Sequence, residues 1–440
     1  MKTIKKALEF GLCAVAISAF LPRQAGAVAF AYDLKFMSFT YNLAGRDNPY
    51  WNSLVNMKNR IMPEIGIQFD KHQSIMFGAW FIQNLHTHIS YFPYTWGVTM
   101  YYSAVGKNFR TYIGIIPRTY TMANYPLAAF KKLFWFKDPT VRGAMFQYKP
   151  AYNPNRWWNG WAEFIVDWYG GRNWNNVGGK KYAANHYNMN QMLYFGASEW
   201  SFLKGYLGFG GRVVAFHNTS SYSMGDPYPF GGHSDPAMRG DTPLWPNGYP
   251  YASGEPLGGV PGQYSNPTVL DRIYYYGYIK SDLKRLAPFL DKLSVAFGTM
   301  SEQEHYCVRA GDHCGPSQWY NSFGGQFDFD IQYKGFGFYE KYYFSDKPQM
   351  KFYATYGRAL YTGLPWYHAP NFERIALYYV YKNKYLSVRA DCFFNFMGGG
   401  DGHSLNGHGG HWYTTFQQFV TVGIDTRQLV DFIRSHNHKL

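Results

Sequence analysis

Apolar and polar residues alternate with a period of two through much of this chain, which is the signature of a strand with one wet face. The segment Gln326 to Tyr333 is the cleanest case: Phe327, Phe329, Ile331 and Tyr333 fall on one side, and Gln326, Asp328, Asp330 and Gln332 on the other. Phe109 to Ile115 and Ala162 to Trp168 repeat the pattern, the second with Glu163, Ile165 and Asp167 sharing a face. In Leu207 to Val213 one face carries Gly208, Gly210 and Arg212. Near the C-terminus, Tyr385 to Phe396 sets Leu386, Val388, Ala390, Cys392, Phe394 and Phe396 against Ser387, Arg389, Asp391 and Asn395.

Short polar turns join many of these stretches. Asp70 to Gln73, Gly106 to Asn108, Trp200 to Gly205, Lys334-Gly335 and Tyr381 to Lys384 read as tight connections. Longer Gly-, Pro- and Asn-rich segments separate the hairpins, among them Leu43–Arg60, Gly170–Asn188 and Asn218–Pro267. The rhythm predicts roughly 16 antiparallel strands, between 14 and 18, closing a transmembrane β-barrel with short periplasmic turns and long extracellular loops. The alternation of short and long connections fails once. "SDKPQ" (Ser345 to Gln349) and "KNK" (Asn383 and its neighbours) both look short, which predicts a missed or extra strand between about residues 300 and 370.

The composition narrows the class. Aromatic residues make up 21% of the chain, with 41 Tyr, and Gly reaches 46. After the N-terminus no run of 18 apolar residues occurs, so a helical span is not expected. A barrel needs apolar residues only at alternate positions and carries aromatic girdles at both interfaces. Lys2, Lys5 and Lys6, an apolar stretch from Phe10 to Leu21, and Ala25-Gly26-Ala27 predict a secretory signal peptide over residues 1–27. Residues 28–428 are then the barrel, and 429–440 a C-terminal periplasmic tail.

The net charge is +14. The leader takes with it four basic residues and one acidic one, leaving about +11 by residue count. Nucleic acid is an improbable partner for an exported chain whose basic residues form no run. A positive lumen, or a surface against anionic head groups, accounts for the sign. Cys307 and Cys314 flank a polar hexapeptide between two strand-like stretches, which reads as a disulfide in an oxidising compartment. Cys392, on the lipid side of its strand, is expected to be a free thiol.

Together, the leader, the alternating aromatic strands and the turn–loop rhythm resemble Gram-negative outer-membrane β-barrels of the porin type. The resemblance implies an outer-membrane channel for passive diffusion of small hydrophilic solutes, anion- or sugar-preferring. It also implies contact with outer-membrane lipid and lipopolysaccharide, handling by the barrel-assembly machinery, and a homotrimer as a candidate assembly. No cofactor and no enzymatic activity are implied.

If the more apolar face meets lipid, Arg110, Glu163, Asp167, Arg212, Asp328, Asp330, Arg389 and Asp391 face the lumen. A water-filled barrel tolerates such charges; alternatively they set a transverse field at a constriction. Arg118, after Ile116-Pro117, stands where a strand enters the segment Thr119–Pro139, and a loop folded back into the lumen would meet it. Tyr274, Tyr276 and Tyr278 share a face with Arg272 and Lys280, so their rings either stack on sugar rings or anchor the interface. His403, His408 and His411 sit with Asp401 in a Gly-rich stretch whose spacing matches no metal site, so no metal is expected. Asp328 and Asp330, about 7 Å apart along a strand, would suit an acid–base pair. Nothing else in the chain points to catalysis, and the remaining alternative is a surface adhesin working through the segment 218–267.

Overall fold

The computed structural model describes residues 29–46, 54–85, 93, 95–130, 132–153, 156–168, 191–218, 266–310, 313–347, 349, 367, 371–383, 386–398 and 413–425. Sixteen strands are seen among them. The first eight are β1 (Ala29–Arg46), β2 (Leu54–Gln68), β3 (Gln73–Asn84), β4 (Thr95–Val105), β5 (Phe109–Pro117), β6 (Thr140–Tyr148), β7 (Trp158–Trp168) and β8 (Gln191–Phe202). The second eight are β9 (Leu207–Asn218), β10 (Asn266–Asp282), β11 (Lys292–Ala310), β12 (His313–Tyr333), β13 (Phe336–Ser345), β14 (Asn371–Lys382), β15 (Leu386–Gly398) and β16 (Tyr413–Asp425). Each strand pairs antiparallel with its sequence neighbours, and β1 pairs with β16 from Lys35↔Asp425 to Arg46↔Thr414, closing the barrel. Closure removes both sheet edges, so the ladder's backbone groups find partners within the wall.

The faces sort as the alternation requires. Ile65, Ile67, Phe77, Val98, Ile113, Phe164, Phe209, Ile279, Phe297 and Leu377 are exposed on the outside, while Glu64, Tyr101, Glu163, Arg212, Tyr274 and Gln326 on the opposite faces are buried. Outward apolar residues with polar residues inside are the reverse of a soluble core and match a lipid-facing wall. At a spacing of about 4.8 Å and a tilt near 40°, sixteen strands enclose roughly 30 Å. The wall alone therefore leaves a wide lumen.

Local chemistry fixes the turns. Lys334 and Gly335 both have positive φ, 46° and 86°, so the β12–β13 hairpin closes on two left-handed residues. Gly114 and Gly143 pair across β5 and β6, with φ of 127° and 151°. A Cβ at either would stand 2.3 Å from a backbone carbonyl oxygen of the neighbouring strand. Only glycine fits there.

The strand count agrees with the sequence reading, and the parity failure disappears. The β11–β12 hairpin is long, pairing through Ala310↔His313, with only residues 311–312 between the two strands. That turn lies on the same rim as the long loops. "SDKPQ" is not a turn but the start of the β13–β14 connection. The segment read as the loop Leu43–Arg60 is mostly strand, because β1 runs to Arg46 and β2 starts at Leu54.

Strand β12 pairs with β13 only from Gly324 to Tyr333. Just above, the chain after β13 takes over. Asp346 donates its N–H to the Phe323 carbonyl at 3.0 Å, its carboxylate accepts the Phe323 N–H at 2.8 Å, and Ser322 Oγ donates to the Lys347 carbonyl at 2.9 Å. The proposed leader, the tail, most of the segment 218–267 and the histidine-rich stretch lie outside the described residues.

Candidate permeation site

One segment folds from the wall into the barrel, and described residues of a second connection reach inward beside it. The first joins β5 to β6 and contains a 3-10 turn, Arg118–Tyr120, and a short helix α1, Lys132–Lys137. Its base is clasped by charge. Arg118 Nε donates to the Asp138 carbonyl at 2.8 Å, and Nη2 lies 2.5 Å from the Asp167 carboxylate and 3.4 Å from that of Asp138. Its guanidinium also covers the rings of Phe134 and Trp135 at 5.1 and 5.5 Å. Glu163 on β7 holds the next stretch: its carboxylate accepts the Met122 and Ala123 N–H groups at 2.8 and 3.0 Å and the Tyr125 hydroxyl at 3.0 Å.

The segment then crosses the lumen. Phe130 packs on Phe195 of β8 at 5.1 Å and Phe216 of β9 at 5.7 Å. Phe136 stacks on Phe39 of β1 at 5.4 Å, and the backbone carbonyls of Trp135 and Phe136 accept Arg60 Nη1 of β2 at 3.0 and 2.8 Å. β1 and β9 are eight strands apart in a ring of sixteen, so these contacts face each other across the barrel. Each buried aromatic contributes about 1.5–3 kcal/mol of apolar burial. These contacts explain why β8 and β9 carry Leu193, Phe195, Val214 and Phe216 on their inner face.

Of the β13–β14 connection, the described Gln349 and Tyr367 reach inward. Tyr367, fully buried, packs on Tyr343 and Phe372 at 4.8 and 5.3 Å, and its hydroxyl donates to Gln326 Oε1 at 3.1 Å. Gln349 donates from its backbone N–H to the Tyr367 carbonyl at 3.0 Å and from Nε2 to the Met300 carbonyl at 3.2 Å.

Between these segments, the inner wall from β8 to β15 carries a lattice of tyrosines and paired charges. Asp328 accepts from Lys341 at 2.6 Å, from the Tyr339 hydroxyl at 2.7 Å and from the Tyr276 hydroxyl at 3.2 Å. Asp330 lies 2.5 Å from both Lys292 Nζ and the Tyr378 hydroxyl. Glu199 accepts from Tyr278 and from Lys280, while Arg212 Nη2 donates to the Tyr278 hydroxyl at 2.7 Å. Arg389 pairs with Asp391 at 2.6 Å and lies 4.6 Å over the Tyr378 ring. Tyr276 and Tyr278 stack at 5.2 Å. Several of these groups keep contact with water: the side chains of Lys280, Lys292 and Arg389 are 36%, 47% and 45% exposed, against 2% for Arg118.

Strand parity places Arg110, Glu163, Asp167, Arg212, Tyr274, Tyr276, Tyr278, Asp328, Asp330, Arg389 and Asp391 on inward faces, with Arg118 at the mouth of the first inward segment. The structure divides them. Arg118, Glu163 and Asp167 are consumed in holding that segment, and Tyr274 is buried. Arg212, Tyr276, Tyr278, Asp328, Asp330, Arg389 and Asp391 join the lattice, while Arg110 stands apart beside Tyr112. Arg118 is therefore a clasp with its charge paired rather than an open lumenal cation. Asp328 and Asp330 each have a lysine partner of their own, an arrangement of ion pairs rather than an acid–base pair. Cys392 is free and half-buried; the side chains of Cys307 and Cys314 lie outside the described residues, as does the disulfide expected of them.

Sequence reasoning missed Glu199, Tyr339, Lys341 and Tyr367. Both faces of β13 are aromatic, which hides the parity of Lys341. Glu199 shares the inner face of β8 with Leu193 and Phe195, which an apolar-outward rule assigns to lipid.

A closed, all-antiparallel barrel of sixteen strands, apolar outside and polar inside, is the architecture of a porin-type outer-membrane barrel. No family model matches the chain, and no curated protein does. Among solved structures it is similar to OprB of Pseudomonas putida, at 10% identity and a TM-score of 0.43 over 90% of this chain and 94% of that one. It is also similar to an anion-selective porin from Comamonas acidovorans, at 9% identity and 0.40 over 90% of this chain and all of that one. OmpF of Salmonella typhi, in complex with daunomycin, matches at 10% and 0.42 over 89% and 97%. Likenesses of this strength carry nothing about solute or assembly.

Proposed function

We propose that the protein is an outer-membrane channel for passive diffusion of small hydrophilic solutes, and that its passage runs along the inner wall from β10 to β15. One observation carries this reading: the β5–β6 segment spans the lumen from β1–β2 to β8–β9, so the path left is in the opposite sector, narrowed there by Gln349 and Tyr367. That sector is lined by Tyr276, Tyr278, Asp328, Tyr339 and Arg389, with Lys341 and Asp391 buried behind them as charge partners. Its charges are paired at short range, so they cancel much of each other's field along the path. Weak discrimination between anions and cations follows, with hydroxyl and amide groups left to interact with uncharged, hydroxylated solutes.

Export by the N-terminal leader, contact with lipopolysaccharide and lipid, assembly-machinery handling and a homotrimer belong to the same reading. The decisive measurement is conductance in planar bilayers on protein shown to be folded by heat-modifiable gel migration. Discrete steps are expected. Folded protein without conductance overturns the channel reading and favours a plugged, surface-acting barrel.

A further inference from the structure

Two tyrosines of the lumenal lattice lie flat on glycines of the neighbouring strand. Gly210 of β9 stands directly opposite Tyr278 of β10, and Gly337 of β13 directly opposite Tyr378 of β14. Both glycines are on inward faces, Gly210 two residues before Arg212 and Gly337 two before Tyr339. A Cβ on Gly210 would fall within the Tyr278 ring, and one on Gly337 within the Tyr378 ring. In both cases the three nearest atoms belong to the ring or its hydroxyl rather than to the backbone. Neither glycine has a positive φ, so the backbone would accept alanine and the ring is what stands in its way.

The hydroxyls hold the rings down. Tyr278 donates to Glu199 and accepts from Arg212 Nη2 at 2.7 Å, while Tyr378 donates to Asp330 at 2.5 Å. Arg389 covers the Tyr378 ring at 4.6 Å, so wall, ring and guanidinium form three layers there. Gly298 of β11 flanks Tyr278 on its other side, where a Cβ would meet the Tyr276 ring and the Gly277 carbonyl oxygen, each at 2.7 Å. Glycine weakens a strand interior, and an aromatic ring laid across it restores part of the lost contact.

We propose that Gly210 and Gly337 set the bore of the passage. An inward Cβ points at the lumen, so a side chain at either position lifts the ring off the wall and into the path. With glycine there, the ring takes up depth in the wall instead of width in the lumen. The glycines are positioning residues, acting through the rings that cover them. The inference rests on the channel reading above and adds the residues that fix its size limit.

The test uses full-length protein shown to be folded by heat-modifiable migration. Two quantities are read in planar bilayers: single-channel conductance, and the largest poly(ethylene glycol) that still enters and lowers the current. The second reports width independently of the charges that Tyr278 holds. Gly210→Ala should lower the conductance and shift the cutoff to a smaller polymer. Adding Tyr278→Ala to it should return both to the wild-type values or above. Gly211→Ala, one residue on, places an outward Cβ with no described atom within 4 Å and should change neither. A wild-type cutoff in folded Gly210→Ala would overturn the proposal. So would a cutoff that stays small in the double variant, or an equal shift in Gly211→Ala, since either puts the effect in the strand rather than the ring. If Gly210→Ala does not fold, Gly337→Ala with and without Tyr378→Ala is read in the same way. Wild-type protein that does not conduct fails the channel reading and this inference with it; conducting wild type with an unmoved cutoff in Gly210→Ala fails the inference alone.

Discussion

Arg118 and Asp167 meet at 2.5 Å with side chains 2% and 1% exposed, joining the first residue after β5 to the inner face of β7. Asp138, 3.4 Å from the same guanidinium, brings in the other end of the segment. One arginine thus gathers both ends of the lumen-crossing segment. Breaking a buried pair on one side is far costlier than replacing both partners, because the survivor keeps an unmatched charge.

The first prediction follows from that asymmetry. Asp167→Asn should lower the unfolding midpoint, by less than the about 3–5 kcal/mol of a pair left wholly unmatched, because Asp138 still faces the guanidinium. Asp167→Leu combined with Arg118→Met and Asp138→Asn, which removes all three charges, should recover much of the loss. A mutant cycle by heat-modifiable migration checks this; additive effects would refute the clasp.

Glu163 anchors the next part of the segment through two backbone N–H groups and the Tyr125 hydroxyl. Bonds to a charged acceptor contribute about 1.5–3 kcal/mol each. Glu163→Ala should loosen the segment while the wall stays closed, so single-channel conductance should rise and become noisier. A trace identical to wild type would show that the segment does not narrow the path.

The location of the passage is separately testable. In a Cys392→Ser background, a cysteine at Tyr276 or Tyr339 should react with a hydrophilic thiol reagent added from water and reduce the current. A cysteine at Met145, inward but wholly buried in the sector filled by the β5–β6 segment, should not react. Equal reactivity would place the path elsewhere.

Cys392 offers a check of the wall itself. It alternates with Asp391 and Phe393, which are buried inside, and shares its face with exposed Phe394. In folded protein it should react with a membrane-soluble maleimide and resist a charged one. The reverse preference would turn β15 around.

Gly143→Ala forces a Cβ to within 2.3 Å of the Val166 carbonyl at a φ of 151°. A strained residue of this kind costs about 1–3 kcal/mol. Reduced folding yield with a lowered unfolding midpoint is expected, and a neutral effect would refute the tight approach.

What the sequence by itself determined was the wall. A strand puts alternate residues on opposite faces, so the clean runs at Gln326–Tyr333 and Ala162–Trp168 fixed their inward charges without knowledge of any neighbour. Short turns such as Lys334-Gly335 fixed the adjacency of strands, and the strand number followed. Arg389 and Asp391, odd inside an apolar run, fall on the inner face of β15 and pair with each other. Tertiary structure alone decided what the inside of the barrel holds. A segment that leaves the wall bonds across residues far away in the chain, as Phe136 does with Phe39 and Tyr367 with Gln326, and no periodicity records such contacts. For the same reason, Phe195 and Phe216 look lipid-facing in the sequence and are lumenal in the fold. Alternation records which two faces a strand has; whether the inner one meets water or another segment depends on what packs against it.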